Sequence, residues 1–143
     1  LRGGLPRAVV RLSNTQVTCQ LVSYENAGDK VISTITGKTL VDKHKWPGDA
    51  SRKSVPACYL AGFALAREAI SIGHNEAILD IGLAASSRGN RAYSALKGMV
   101  DAGLEIPHSE EVLPSDDRIN GEHISDSISK AVQVTKKSIE GGN

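Results

Sequence analysis

The chain has 143 residues, a formal net charge of +1 and very few aromatic side chains: one Trp, one Phe and three Tyr. That length supports one hydrophobic core, which aliphatic residues and alanine must fill. No run is long and apolar enough to span a bilayer and no secretory signal is visible, while Cys19 and Cys58 lack a CxxC partner or clustered histidines, which argues against a zinc site.

In chain order, "RAVVRLSN" and "QVTCQLVSYE" are β-branched runs separated by a short polar turn, and they predict a hairpin. Val17, Cys19 and Leu21 alternate with Gln16, Thr18 and Gln20, so one face is apolar and the other polar. "ENAGDK" reads as a turn. "KVISTITGK" reads as a third strand, with Val31, Ser33 and Ile35 opposite Ile32, Thr34 and Thr36. Residues 39–53 read as a basic, irregular linker with room for a turn of helix. A helix capped by Ser54, with Pro56 in its first turn, is expected to be largely buried and to end at Gly73. "EAILDIGL" reads as a short interior strand. "NRAYSALKGMVDAG" reads as a helix with Ala92, Leu96 and Met99 or Val100 inward and Gly103 at its end, and "LEIPH" as a brief extended piece. From Ser115 onward the chain reads as helix, with Ile124, Ile128, Ala131 and Val132 as its apolar stripe.

The fold class expected is α/β with α+β character: a mixed β-sheet begun by a three-stranded antiparallel meander, with helices packed on it. Residues 1–143 are expected to form a single domain, with 115–143 as a helical extension. Both cysteines sit among apolar neighbours and read as buried free thiols, which fits a reducing compartment.

The glycine- and serine-rich stretch "IGLAASSRGN" stands between a strand and a helix, where backbone N–H groups can hold a phosphate. Its spacing matches neither a Walker loop nor a dinucleotide fingerprint. It is either a weaker anion site flanked by Arg88 and Arg91 or a plain turn. Asp80 is either a general base or a paired structural carboxylate. Ser86 and Ser87 lack a nucleophile elbow. His108 and His123 lie near Glu110, Glu111 and Glu122, but no H-E-x-x-H motif is present. No cofactor and no metal are expected. A small nucleotide- or phosphate-binding enzyme using Gly82–Arg91 is the competing class.

The charge is unevenly distributed. Residues 1–60 carry nine Lys or Arg against four Asp or Glu, and residues 101–143 carry four against nine. The basic end has a pattern suited to a polyanion. Arg7 and Arg11, four apart on the first strand, share a face. Ser13, Asn14 and Thr15 form the hairpin tip, Thr18 and Gln20 lie on the second strand's polar face, and Lys38 and Lys45 follow. Hydroxyls and amides among guanidiniums suit phosphate and sugar contacts. Trp46 is either a base-stacking platform or a buried plug beside Pro47.

"ACYLAGFALAREAI", "EAILDIGL", "RGNRAYSALKGMVDAGLEIPHSEEVLP" and "DDRINGEHI" resemble the archaeal and eukaryotic branch of the large-subunit ribosomal protein family that binds 5S ribosomal RNA, family eighteen in the bacterial count. The opening "LPRAVVRLSNTQVTCQLV" resembles that family's first hairpin. The resemblance covers essentially the whole chain. It implies a non-catalytic protein docked on 5S ribosomal RNA at the central protuberance of the cytoplasmic ribosome. It also implies large-subunit ribosomal RNA and neighbouring ribosomal proteins as further partners, no membrane, and no homo-oligomer. The resemblance also implies a basic N-terminal arm that contacts RNA, which this sequence lacks. The positions matching the family's RNA contacts are Arg7, Arg11, Ser13, Asn14, Gln20 and the Arg88–Arg91 loop with Asn90; the linker holding Lys38 and Lys45 varies more.

Overall fold

Alternation of apolar and polar residues sets up the first half of the chain as a meander of Arg7–Leu12 (β1), Val17–Glu25 (β2) and Gly28–Thr36 (β3). The computed structural model describes residues 6–12, 16–25, 28–44, 46, 55–80, 91–106 and 126–141. β1 pairs antiparallel with β2, and β2 with β3; Ile78–Asp80 (β4) joins β1 in parallel, giving the strand order β3-β2-β1-β4. The sheet is therefore mixed, as expected. β4, however, is at the edge of the described sheet and its residues are half-buried, rather than interior. The extended piece after the third helix is present as a bridge between Glu76 and Glu105.

The alternation in β3 fails at one place. Ser33 pairs with Leu21 and Val31 with Val22, so Ile32 is an extra residue in a bulge. Ile32 consequently packs against the core, while Val31 is left exposed. β3 also ends earlier than expected, at Thr36. Gly37–His44 (α1) is a helix, not an irregular linker, and it contains Lys38. The reason is a reciprocal cap. Thr36 Oγ1 accepts the Thr39 N–H at 3.1 Å and Thr39 Oγ1 accepts the Thr36 N–H at 3.2 Å, while Gln16 Oε1 accepts the Lys38 N–H at 2.9 Å. After α1 the Trp46 N–H returns to the Leu40 carbonyl, and the indole is buried in the core at 2% exposure. Trp46 is thus the plug and not a stacking platform.

Val55–Ile72 (α2) is alanine-rich, which favours helix, and nearly every residue from Pro56 to Ala66 is buried. Pro56 stands in its first turn; Ser54 lies outside the described residues. Arg91–Asp101 (α3) and Asp126–Gly141 (α4) complete the described helices. Gly73 ends α2 at φ +110°, with His74 N–H on the Ala69 carbonyl and Gly73 N–H on that of Ile70; Gly103 ends α3 in the same way at φ +107°. Both are Schellman caps, which need a left-handed residue. In α4 the buried stripe is Val132, Thr135 and Ile139. The expected start at Ser115 and the positions Ile124, Ile128 and Ala131 fall on residues or side chains outside the described ones.

α2 and α3 pack backbone to backbone. A methyl at Gly62 would fall on the Ala95 carbonyl, and one at Gly98 on the Tyr59 carbonyl. Each glycine thus opens room for the other helix. A polar chain then ties α4 to this pair. Lys136 Nζ donates to Tyr59 Oη at 2.9 Å and lies 5.1 Å from the Phe63 ring centroid, and Tyr59 Oη donates to Asp101 Oδ2 at 2.7 Å. Lys97 closes on the other oxygen of Asp101 at 3.1 Å.

The core lies between the helices and one face of the sheet, where Ala8, Val10, Val17, Cys19, Leu21 and Ile35 meet α2 and α3 residues. Cys19 and Cys58 are fully buried thiols outside any disulfide. Burial pushes the Cys19 thiol well above its usual pKa, with Cys58 adding to the shift, so it is held as an inert thiol.

Candidate nucleic-acid interface

Because alternate residues of a strand face opposite ways, burying Ala8 and Val10 puts Arg7, Val9 and Arg11 on the sheet's other face. Register then sets their neighbours. Arg11 stands beside Thr18, and Thr18 beside Thr36; Val9 stands between Asp80 and Gln20, with Thr34 next to Gln20; Arg7 stands between Ile78 and Val22, with Val31 beyond. Val9 and Val22 form a buried apolar floor, at 5% and 6% exposure, beneath a surface of guanidiniums, hydroxyls and an amide. On β3 the exposed Thr34 belongs to this surface, while Ser33 is buried on the core side.

The two arginines differ in state. Arg7 Nη1 donates to Asp80 Oδ2 at 3.0 Å, and the two side chains are 33% and 35% exposed. Asp80 is therefore a paired carboxylate bridging edge strand and neighbour, which answers the question its sequence position raised. Arg11 is exposed and makes no ion pair or hydrogen bond through its side chain among the described residues. Its charge is available to an anion. Thr18 and Gln20 are half-buried beside it. Lys38, exposed, follows two residues after Thr36, at the same end of the sheet as Arg11. The structure thus brings together Arg7, Arg11, Thr18 and Gln20 on one face, with Lys38 at its margin.

Ser13, Asn14, Thr15, Lys45, Arg88 and Asn90 lie outside the described residues, and so does the side chain of Arg91, which opens α3. The Gly82–Arg91 loop, His108 and His123 lie outside them as well. Among the described residues no group of three or more His, Cys, Asp or Glu is placed to hold a metal, and no helix is long and apolar enough to cross a membrane. Sequence reasoning missed that Asp80 would face Arg7. Nothing local signals it, because the two are 73 residues apart and meet only through the parallel register of β1 and β4.

A family model described as ribosomal large subunit proteins 60S L5 and 50S L18 matches residues 71–109. The chain is 47% identical over 121 residues to a large ribosomal subunit protein uL18 of Methanothrix thermoacetophila, covering 85% of this chain and 70% of that protein. It is 46% identical over 125 residues to the uL18 of Korarchaeum cryptofilum, covering 87% and 63%, and 44% identical over 122 residues to that of Caldivirga maquilingensis, covering 85% and 58%. The chain thus spans between 58% and 70% of the lengths of these relatives.

Proposed function

Because this chain belongs to the family of large ribosomal subunit proteins uL18, we propose that it is a structural constituent of the large subunit of the cytoplasmic ribosome and that it binds 5S ribosomal RNA through the open face of its sheet. Its relatives are named as ribosomal proteins, not enzymes, and the nucleotide-pocket alternative is dropped on that ground. The observation that carries the interface is Arg11: an exposed guanidinium with no ion pair among the described residues, in line with Thr18 and Thr36. Guanidiniums and hydroxyls on a rigid sheet suit phosphates and 2′-hydroxyls, which fixes an RNA's position more than it reads its bases. The hairpin tip Ser13–Thr15, Lys45 and the Arg88–Arg91 stretch with Asn90 are proposed to extend the same contact, and ribosomal RNA of the large subunit with neighbouring ribosomal proteins to surround it.

The test is equilibrium binding of the protein to 5S ribosomal RNA across a salt series, with transfer RNA as competitor. A preference for 5S RNA and a steep fall in affinity with salt are expected. Equal binding of the two RNAs would overturn the proposal.

A further inference from the structure

A carboxylate on a surface that meets RNA needs a reason, because it repels the phosphates such a surface binds. Asp80 holds such a position. Its register partner Val9 puts it in one row with Gln20 and Thr34 on the open face of the sheet, between the rows of Arg7 and Arg11. Holding the sheet together is a weak reason. The backbone already ties β4 down on both sides: it pairs with β1 from Arg7↔Ile78 to Val9↔Asp80, the Ile78 N–H donates to the Pro6 carbonyl at 3.0 Å, and the Ala77 N–H donates to the Glu105 carbonyl at 3.0 Å. An ion pair whose side chains are 33% and 35% exposed adds little to that. What the pair does fix is a guanidinium. Arginine has a long side chain with many rotamers; with Nη1 on Asp80 Oδ2 at 3.0 Å, Arg7 is held beside β4.

We propose that Asp80 is a positioning residue that sets which RNA the sheet accepts, an inference that rests on the reading of this face as an RNA interface. It acts through Arg7. A released Arg7 would follow any phosphate within its reach. Held by Asp80, it rewards only an RNA that brings a phosphate to that place while another meets Arg11, roughly 13 Å along the same strand. For that RNA the side chain is already ordered, so less is lost on binding; for other polyanions the match is missing and the neighbouring carboxylate remains a cost.

The test is a cycle of Asp80→Asn, Arg7→Ala and the double variant, with affinities for 5S ribosomal RNA and for transfer RNA measured at one salt concentration. Asp80→Asn keeps the side chain's shape and removes its charge. It is expected to lower the ratio of 5S to transfer RNA affinity by about fivefold or more, and to change that ratio by less than about twofold once Arg7 is alanine. Tm of Asp80→Asn is expected to stay within about 3 °C of the unaltered protein. A ratio untouched by Asp80→Asn, as when both affinities rise or fall together, would overturn the inference, and so would the same loss of ratio in the Arg7→Ala background. An equal loss for both RNAs with a larger fall in Tm would make the pair a structural staple only. Equal binding of the two RNAs by the unaltered protein would instead overturn the RNA reading itself, and this inference with it.

Discussion

Arg11 and Arg7 illustrate how neighbouring identical residues divide their work. Arg7 is held by Asp80, so part of its charge is neutralised within the fold, whereas Arg11 is exposed and makes no ion pair among the described residues. Arg11→Ala should therefore weaken 5S RNA binding and reduce the slope of log affinity against log salt by about 0.7 to 0.9, the loss of roughly one phosphate contact. An unchanged slope would remove Arg11 from the interface. His44 gives a residue-scale test in the free protein. Its burial, with Lys43 next to it, lowers its pKa below the usual 6.5, and Glu68 offsets this only in part. The unfolded chain then takes up a proton at a higher pH than the folded one. Stability is held above about pH 6.5 and lost as the pH falls through the lower folded value. His44→Gln should consequently flatten part of the fall in Tm between about pH 7.5 and about pH 5; an identical fall in the variant would show that His44 contributes nothing to it.

At the scale of elements, the helix pair α2–α3 rests on two glycines that helix propensity alone would replace. Glycine in a helix interior costs about 1 kcal/mol relative to alanine. Here the added methyl would strike a backbone carbonyl of the facing helix, which cannot rotate aside as a side chain can. Gly62→Ala or Gly98→Ala should thus destabilise, despite the better propensity, by about 3 kcal/mol and lower Tm by roughly 10 °C, as thermal unfolding followed by circular dichroism would read. An increase in Tm would mean that the helices can separate at little cost. The same elements show how far sequence reaches. Gly73 and Gly103 were legible as helix ends because a cap is a local event, and both are present with left-handed φ. The cap that starts α1 was also local, with Thr36 and Thr39 three apart, but the alternation of β3 continued past it and concealed it. The Ile32 bulge was not legible, since only the pairing with β2 determines where an extra residue fits.

For the molecule as a whole, the sheet has one face committed to the core and one proposed to meet RNA, and the two should be separable by experiment. Arg11→Ala and Gln20→Ala should change RNA affinity while leaving Tm within about 2 °C, because surface substitutions away from packed or capped positions alter stability by about 0.5 kcal/mol or less. A large loss of Tm would place these side chains in the structural framework instead. The sequence by itself determined the mixed α/β character, the alternating strands, the helix ends at glycine and the family, all of which follow from patterns read within a few turns or from short contiguous motifs. It also put Arg7, Arg11, Thr18 and Gln20 on a polar face, since strand alternation is a period of two. Only the tertiary structure decided that Trp46 belongs to the core, that β4 is an edge, that α2 and α3 touch through Gly62 and Gly98, and that Asp80 neutralises Arg7 while Arg11 stays exposed. The physical reason is the same in each case. Burial and charge pairing depend on which distant segments are brought within a few ångströms of one another, and local periodicity carries no information about that.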